Sequence, residues 1–128
     1  MLKKLNSYLK LAVVFILLQF LTLHISAQSY FNVNEINQKL QEIQKANSSI
    51  VKLHSLGTSS GGYNVQFIEI GDEIKSDNKT IPAVFVMANP HGNNPLSSYA
   101  AITFANKIIK DKAYKVNTYY LLPVLNAD

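Results

Sequence analysis

The stretch Ile81-Pro-Ala-Val-Phe-Val-Met-Ala88, Asn89-Pro-His-Gly-Asn-Asn94, Pro95 to Lys110 and Thr118 to Leu125 decides the fold. Its first eight residues form an apolar run that reads as a buried strand. The Asn-Pro and Gly-Asn pairs that follow are turn residues, and Pro95 is suited to the first turn of a helix. That helix runs to Lys110, Asp111 to Asn117 connects, and Thr118 to Leu125 is a second apolar strand. A strand, a helix and a strand in this order make a crossover unit, which requires its two strands to be parallel.

Working back towards the N-terminus, Gly71 to Thr80 is polar and reads as a surface loop. Tyr63 to Ile70 alternates Val65, Phe67 and Glu69 with Gln66, Ile68 and Ile70. With the run Ile50 to Leu56 and the turn Thr58-Ser-Ser-Gly-Gly62 it forms an antiparallel hairpin. Asn32-Val-Asn-Glu35 fits a capping box, and Ile36, Leu40 and Ile43 follow at helical spacing, giving a helix over Asn34 to Ala46. A hairpin joined to a crossover unit makes the sheet mixed. Functional groups in such sheets gather at the carboxyl ends of the strands. Two segments occupy that edge: Asn89 to Asn94 and Asn126-Ala-Asp128.

Composition narrows the chemistry. The 128 residues hold 12 lysines, no arginine, 8 acidic residues and no cysteine, and 48% are apolar. Disulfide frameworks, cysteine nucleophiles and cysteine-based zinc sites are excluded, so a metal would need His, carboxylate or amide donors. The pI near 9.3 owes much to Lys3, Lys4 and Lys10. These precede an apolar run from Leu11 to Leu23, and Ala27 offers a small residue for cleavage, so residues 1–27 read as a secretory signal peptide. The run is shorter than the ~20 residues of a spanning helix; a retained membrane anchor is the alternative. Without the leader, 9 lysines face 8 acids, a net charge of +1, which leaves no basic surface for nucleic acid. The expected product is exported, extracellular or periplasmic, with no stable membrane span after cleavage.

Among candidate groups, His91 follows a strand directly in a tight loop, and the residue alone reads either as a surface, hydrogen-bonding histidine or as a metal or catalytic group. His54 lies within a strand and reads as a residue that hydrogen-bonds locally; His24 falls in the leader. Gly57 to Gly62 leads into a strand rather than a helix and reads as a turn, not a phosphate cradle. Ser59, Ser60, Ser97 and Ser98 lack a nucleophile elbow. Asn47-Ser-Ser49 and Asn78-Lys-Thr80 fit the glycosylation acceptor pattern. The apolar strand at Tyr119 to Leu125, with little chain to cover it, reads as the interior of a larger domain.

Three segments together carry a resemblance: Val51-Lys-Leu-His-Ser-Leu-Gly-Thr-Ser-Ser-Gly-Gly-Tyr-Asn-Val65, Ile81 to Leu96, and Tyr120-Leu-Leu-Pro-Val-Leu-Asn-Ala-Asp128. In order and spacing this resembles the N-terminal portion of the M14 zinc carboxypeptidases, with their G-x-S-x-x-G-R hairpin, H-G-[DN]-E-P loop and N-P-D-G turn. The resemblance covers about residues 36 to 128. It implies an α/β fold with a mixed, mostly parallel sheet and flanking helices, residues 29–128 being its N-terminal half. It also implies a zinc cofactor, a peptide or protein substrate, and hydrolysis at chain ends.

By the same resemblance His91 is the first zinc ligand, and Asn94 stands where the family has its Glu ligand. A neutral amide oxygen binds zinc more weakly than a carboxylate and does not balance the dication. Tyr63 replaces the hairpin Arg, and Ala127 the turn Pro. The third ligand, the general-base Glu and the substrate-gripping Arg groups of the family have no counterpart up to Asp128, so the chain itself contains no catalytic residue. Two alternatives follow: an inactive relative that binds peptides or cell-wall fragments, and a non-catalytic structural remnant.

Overall fold

The computed structural model describes residues 30–72 and 81–128, together with 8–9, 12–13 and 15. The signal-peptide reading falls almost wholly outside the described residues, as do Asn78 and most of the loop expected at Gly71 to Thr80. No helix among the described residues is long and apolar enough to cross a membrane.

The elements run α1 (Val33–Ala46), β1 (Val51–Thr58), β2 (Asn64–Ile70), β3 (Ala83–Met87), α2 (Pro95–Lys110), a 3-10 turn (Ala113–Lys115) and β4 (Thr118–Leu122). Helix α1 starts with the expected capping box: Glu35 N donates to Asn32 Oδ1 at 3.0 Å and Asn32 N to Glu35 Oε2 at 2.7 Å. It buries Ile36, Leu40 and Ile43. Helix α2 has Pro95 at its first turn and buries Ala101, Ile102, Ala105 and Ile108.

The sheet has the order β1-β2-β4-β3. Strands β1 and β2 pair antiparallel with Leu53 opposite Ile68, β2 and β4 pair antiparallel with Ile68 opposite Leu121, and β3 and β4 are parallel with Val86 beside Leu121. The mixed α/β sheet with flanking helices expected from the sequence is therefore present. The parallel share is smaller than expected, one pairing in three, because β4 inserts between the hairpin and β3 and so meets β2 antiparallel. Strand β4 also ends earlier than expected, at Leu122, where Pro123 has no N–H to continue a ladder.

One face of the sheet carries the core. Val51, Ile68, Ile70, Tyr119 and Leu121 join Leu40, Ile43, Ile102 and Ile108 from the two helices in one cluster. The other face presents His54, Phe67, Glu69, Tyr120 and Phe85, the alternate members of the same registers. Strand β3 corrects one expectation. Its apolar run reads as buried, yet Val84, Phe85 and Met87 are exposed, because β3 lies at the sheet edge.

On that second face His54 Nε2 lies 2.8 Å from Glu69 Oε2, and its ring stacks on Phe67 at 4.7 Å between centroids. Burial first, and the neighbouring Glu69 carboxylate second, push the Tyr120 phenol above its ordinary value of 10.0. The unfolded chain then loses that proton before the folded one does. The contribution of this group to stability is full below pH ~10 and falls as pH rises through the range above it. Glu69→Gln is expected to lower the Tyr120 ionisation midpoint, followed by its ring carbon shift in NMR, without returning it fully to 10.0, since burial remains. An unchanged midpoint would remove Glu69 as a cause.

Candidate functional site

The carboxyl ends of β3 and β4 lie side by side, and each continues as an extended strip. Ala88 N donates to Leu122 O at 2.9 Å, and Leu125 N donates back to Ala88 O at 3.1 Å. The strip after β4 thereby runs along the start of the Asn89–Asn94 loop. His91 is exposed on that loop, four residues beyond the end of β3.

The loop is organised by Asn89, a residue that reading for reactive groups passes over. It is 6% exposed and has a left-handed backbone with φ of 47°, a conformation Asn tolerates better than most residues. Each of its polar groups on this side has a partner. Its N–H donates to Ser97 Oγ at 2.9 Å, its Oδ1 accepts from Asn94 N at 2.9 Å, and its carbonyl accepts from Gly92 N at 3.4 Å and Asn126 N at 3.3 Å. One side chain and its peptide groups thus bind the loop, the first turn of α2 and the strip after β4. The Asn-Pro pair at 89–90 was the available signal, since it marks a turn.

Asn94, at the position of the family's Glu ligand, also serves as a helix cap. It is the N-cap of α2, and its Oδ1 accepts from Ser97 N at 3.2 Å, while its carbonyl accepts from Ser97 Oγ at 2.7 Å. The capping bond uses one of the two lone pairs of the amide oxygen.

The third motif reaches the same place. The Asp128 carboxylate accepts from Ser59 Oγ at 2.6 Å and from Gly61 N at 2.9 Å. The hairpin turn is therefore tied to the end of the strip after β4. An added Cβ at Gly61 would lie 2.5 Å from Asp128 Oδ1, so a side chain there would displace the carboxylate from this contact. The three segments singled out in the sequence, far apart along the chain, meet around Asn126 to Asp128. Those residues also form the wall shared by two hollows, of about 420 Å³ on the Phe31 and Tyr63 side and about 450 Å³ on the Leu56 and Pro90 side.

As a donor set this edge contributes one imidazole, His91, and an amide oxygen engaged in capping. Among the described residues no three His, Asp or Glu side chains are grouped closely enough to share a metal ion. A catalytic zinc takes three protein ligands. The residues described here do not make up such a set, and His54, paired with Glu69 on the other face of the sheet, does not join it.

Fold and motif geometry together define an α/β domain with its functional groups at the strand ends. The family described as zinc carboxypeptidase, M14, matches residues 36–128, and the chain belongs to that family. Carboxypeptidase D of Drosophila melanogaster is 27% identical over 107 residues, covering 77% of this chain and 8% of that protein. The carboxypeptidase A structure from Helicoverpa armigera superposes with a TM-score of 0.71 at 20% identity, over 78% of this chain and 25% of the other. Bovine thrombin-activatable fibrinolysis inhibitor, solved with tick carboxypeptidase inhibitor, gives 0.65 at 18% identity, over 78% of this chain and 32% of its own. The chain thus spans under a tenth of the curated relative and a quarter to a third of these solved chains.

Proposed function

We propose that this chain is part of an exported zinc carboxypeptidase-like protein that acts on the ends of peptide chains, with His91 at the first metal-ligand position. The observation that carries the reading is the convergence of the Ser59–Gly62 turn, the His91 loop and the Asn126–Asp128 strip at the carboxyl edge of a parallel strand pair. Family membership over residues 36–128 supports it, and the leader-like residues 1–27 support export. Zinc, where bound, supplies Lewis acidity and a water of lowered pKa. The described residues hold one proposed ligand position and carry no hydrolytic step alone, so hydrolysis calls for groups that the described residues do not supply.

The neutral amide of Asn94 at the position of the family's carboxylate ligand favours a second reading, an inactive relative that binds peptides or cell-wall fragments without cutting them. A competition titration against a chromophoric chelator tests both, on the complete protein to which this chain belongs and on two variants of it. His91→Ala is expected to abolish zinc uptake, and Asn94→Glu to strengthen it by about tenfold or more, at least the effect of an outer-sphere partner on a metal site. Uptake that does not depend on His91 would overturn the ligand assignment. Dependence on His91 with no gain from Asn94→Glu would favour the non-hydrolytic relative.

A further inference from the structure

We infer that Asp128 is a positioning residue, through which the β1–β2 hairpin holds the loop of His91 in place. The inference rests on the proposal above for the importance of His91, but its geometry stands on separate contacts. The carboxylate reaches sideways to the hairpin, accepting from a hydroxyl and a peptide N–H of the Ser59–Gly62 turn. The main chain of the same residue faces the His91 loop. A Cβ added to Gly92 would lie 2.9 Å from the Asp128 carbonyl oxygen and 3.5 Å from the Asn126 side chain. The two backbones are therefore in direct contact beside the proposed ligand, and Gly92, at φ of 75°, is the residue that permits it.

Two further bonds complete the connection. Asp128 N donates to Asn126 Oδ1 at 3.2 Å, which folds the strip back on itself. Asn126 N donates to Asn89 O, the same carbonyl that receives Gly92 N. The loop is thus fastened on one side to the strip, and the strip is fastened on its far side only by the Asp128 carboxylate among the bonds described. Hydrogen bonds to a charged acceptor are stronger than neutral ones. Removing this one should loosen the strip, and with it the loop, while the ladder from Ile68 to Leu121 stays intact.

The test is amide hydrogen exchange on the full chain, comparing Asp128→Ala, Asp128→Asn and Ser59→Ala with the wild type. In Asp128→Ala the amides of Gly92 and Asn94 are expected to exchange about tenfold faster, with Ile68 and Leu121 within about twofold of wild type. Asp128→Asn keeps an acceptor oxygen and should restore most of the protection. Ser59→Ala leaves the Gly61 N–H bond and should fall between them. Loop amides unchanged in Asp128→Ala would overturn the inference, as would loop and core amides accelerating together, which is the result of a purely structural role. Exchange needs no metal, so its outcome is separable from the zinc titration. Zinc uptake independent of His91 with a loosened loop would end the functional proposal and leave the positioning role, and the reverse pair of results would do the opposite.

Discussion

Replacing Leu121 by alanine is expected to cost about 3–5 kcal/mol, the upper range for a large-to-small change at a site that cannot collapse. Leu121 is 0% exposed and sits in β4, one of the two inner strands of the sheet. Ile68 lies opposite it on one neighbour and Val86 beside it on the other, so the cavity would open between three strands under two helices. A domain of this size has a total stability on the order of 5–15 kcal/mol. The loss would consume a large part of that and would bring the urea midpoint down steeply. Leu121→Met, which nearly conserves volume, should cost less than about 1.5 kcal/mol. A loss below about 1 kcal/mol in the alanine variant would mean that β4 is not an inner strand. Function follows stability here, since β4 leads directly into the strip that ends at Asp128.

The periodic elements were legible because their signals are local. The capping box at Asn32 and Glu35, the helix from Pro95 to Lys110 and the hairpin around Gly61 and Gly62 each declare themselves within a few residues. The parallel pair followed from the order strand, helix, strand, and with it the edge on which His91 stands. What stayed hidden depends on which distant segments become neighbours. Nothing in the sequence near β4 says that it will insert between β2 and β3. An apolar run such as Ala83 to Met87 reads the same at a sheet edge as in its middle. The site divides the same way. His91 stands out by residue type, but Asn89 and Asp128 matter through bonds that join residues 89 to 126 and 59 to 128. Asn94 shows the limit of a motif position. Its place in the H-x-x-E pattern suggests a ligand, while its place before a helix also makes it a cap, which the motif alone does not reveal.

Asn89→Ala is expected to be the most damaging change at the site itself, with a loss of about 2–5 kcal/mol built from two separable causes. Alanine at φ of 47° carries the left-handed penalty of about 1–2 kcal/mol. Loss of Oδ1 leaves the partly buried Asn94 N–H without its acceptor, about 1–3 kcal/mol more. Two companion variants divide the sum. Asn89→Gly removes the backbone penalty and keeps the lost acceptor, so it should recover about 1 kcal/mol relative to alanine. Asn89→Asp keeps both an acceptor oxygen and tolerance of the left-handed region, so it should lie closest to wild type. Urea unfolding measures the three stabilities, and the His91 ring signals in NMR report the loop directly. If Asn89 organises the loop, the His91 shifts move in the alanine and glycine variants alike, because both lose Oδ1, and stay near wild type in aspartate. If the residue only satisfies a turn, glycine restores them. The second pattern would move the origin of loop order from the Asn89 side chain to its backbone, and would leave the strip from Leu125 to Asp128 as the support on which the position of His91 depends.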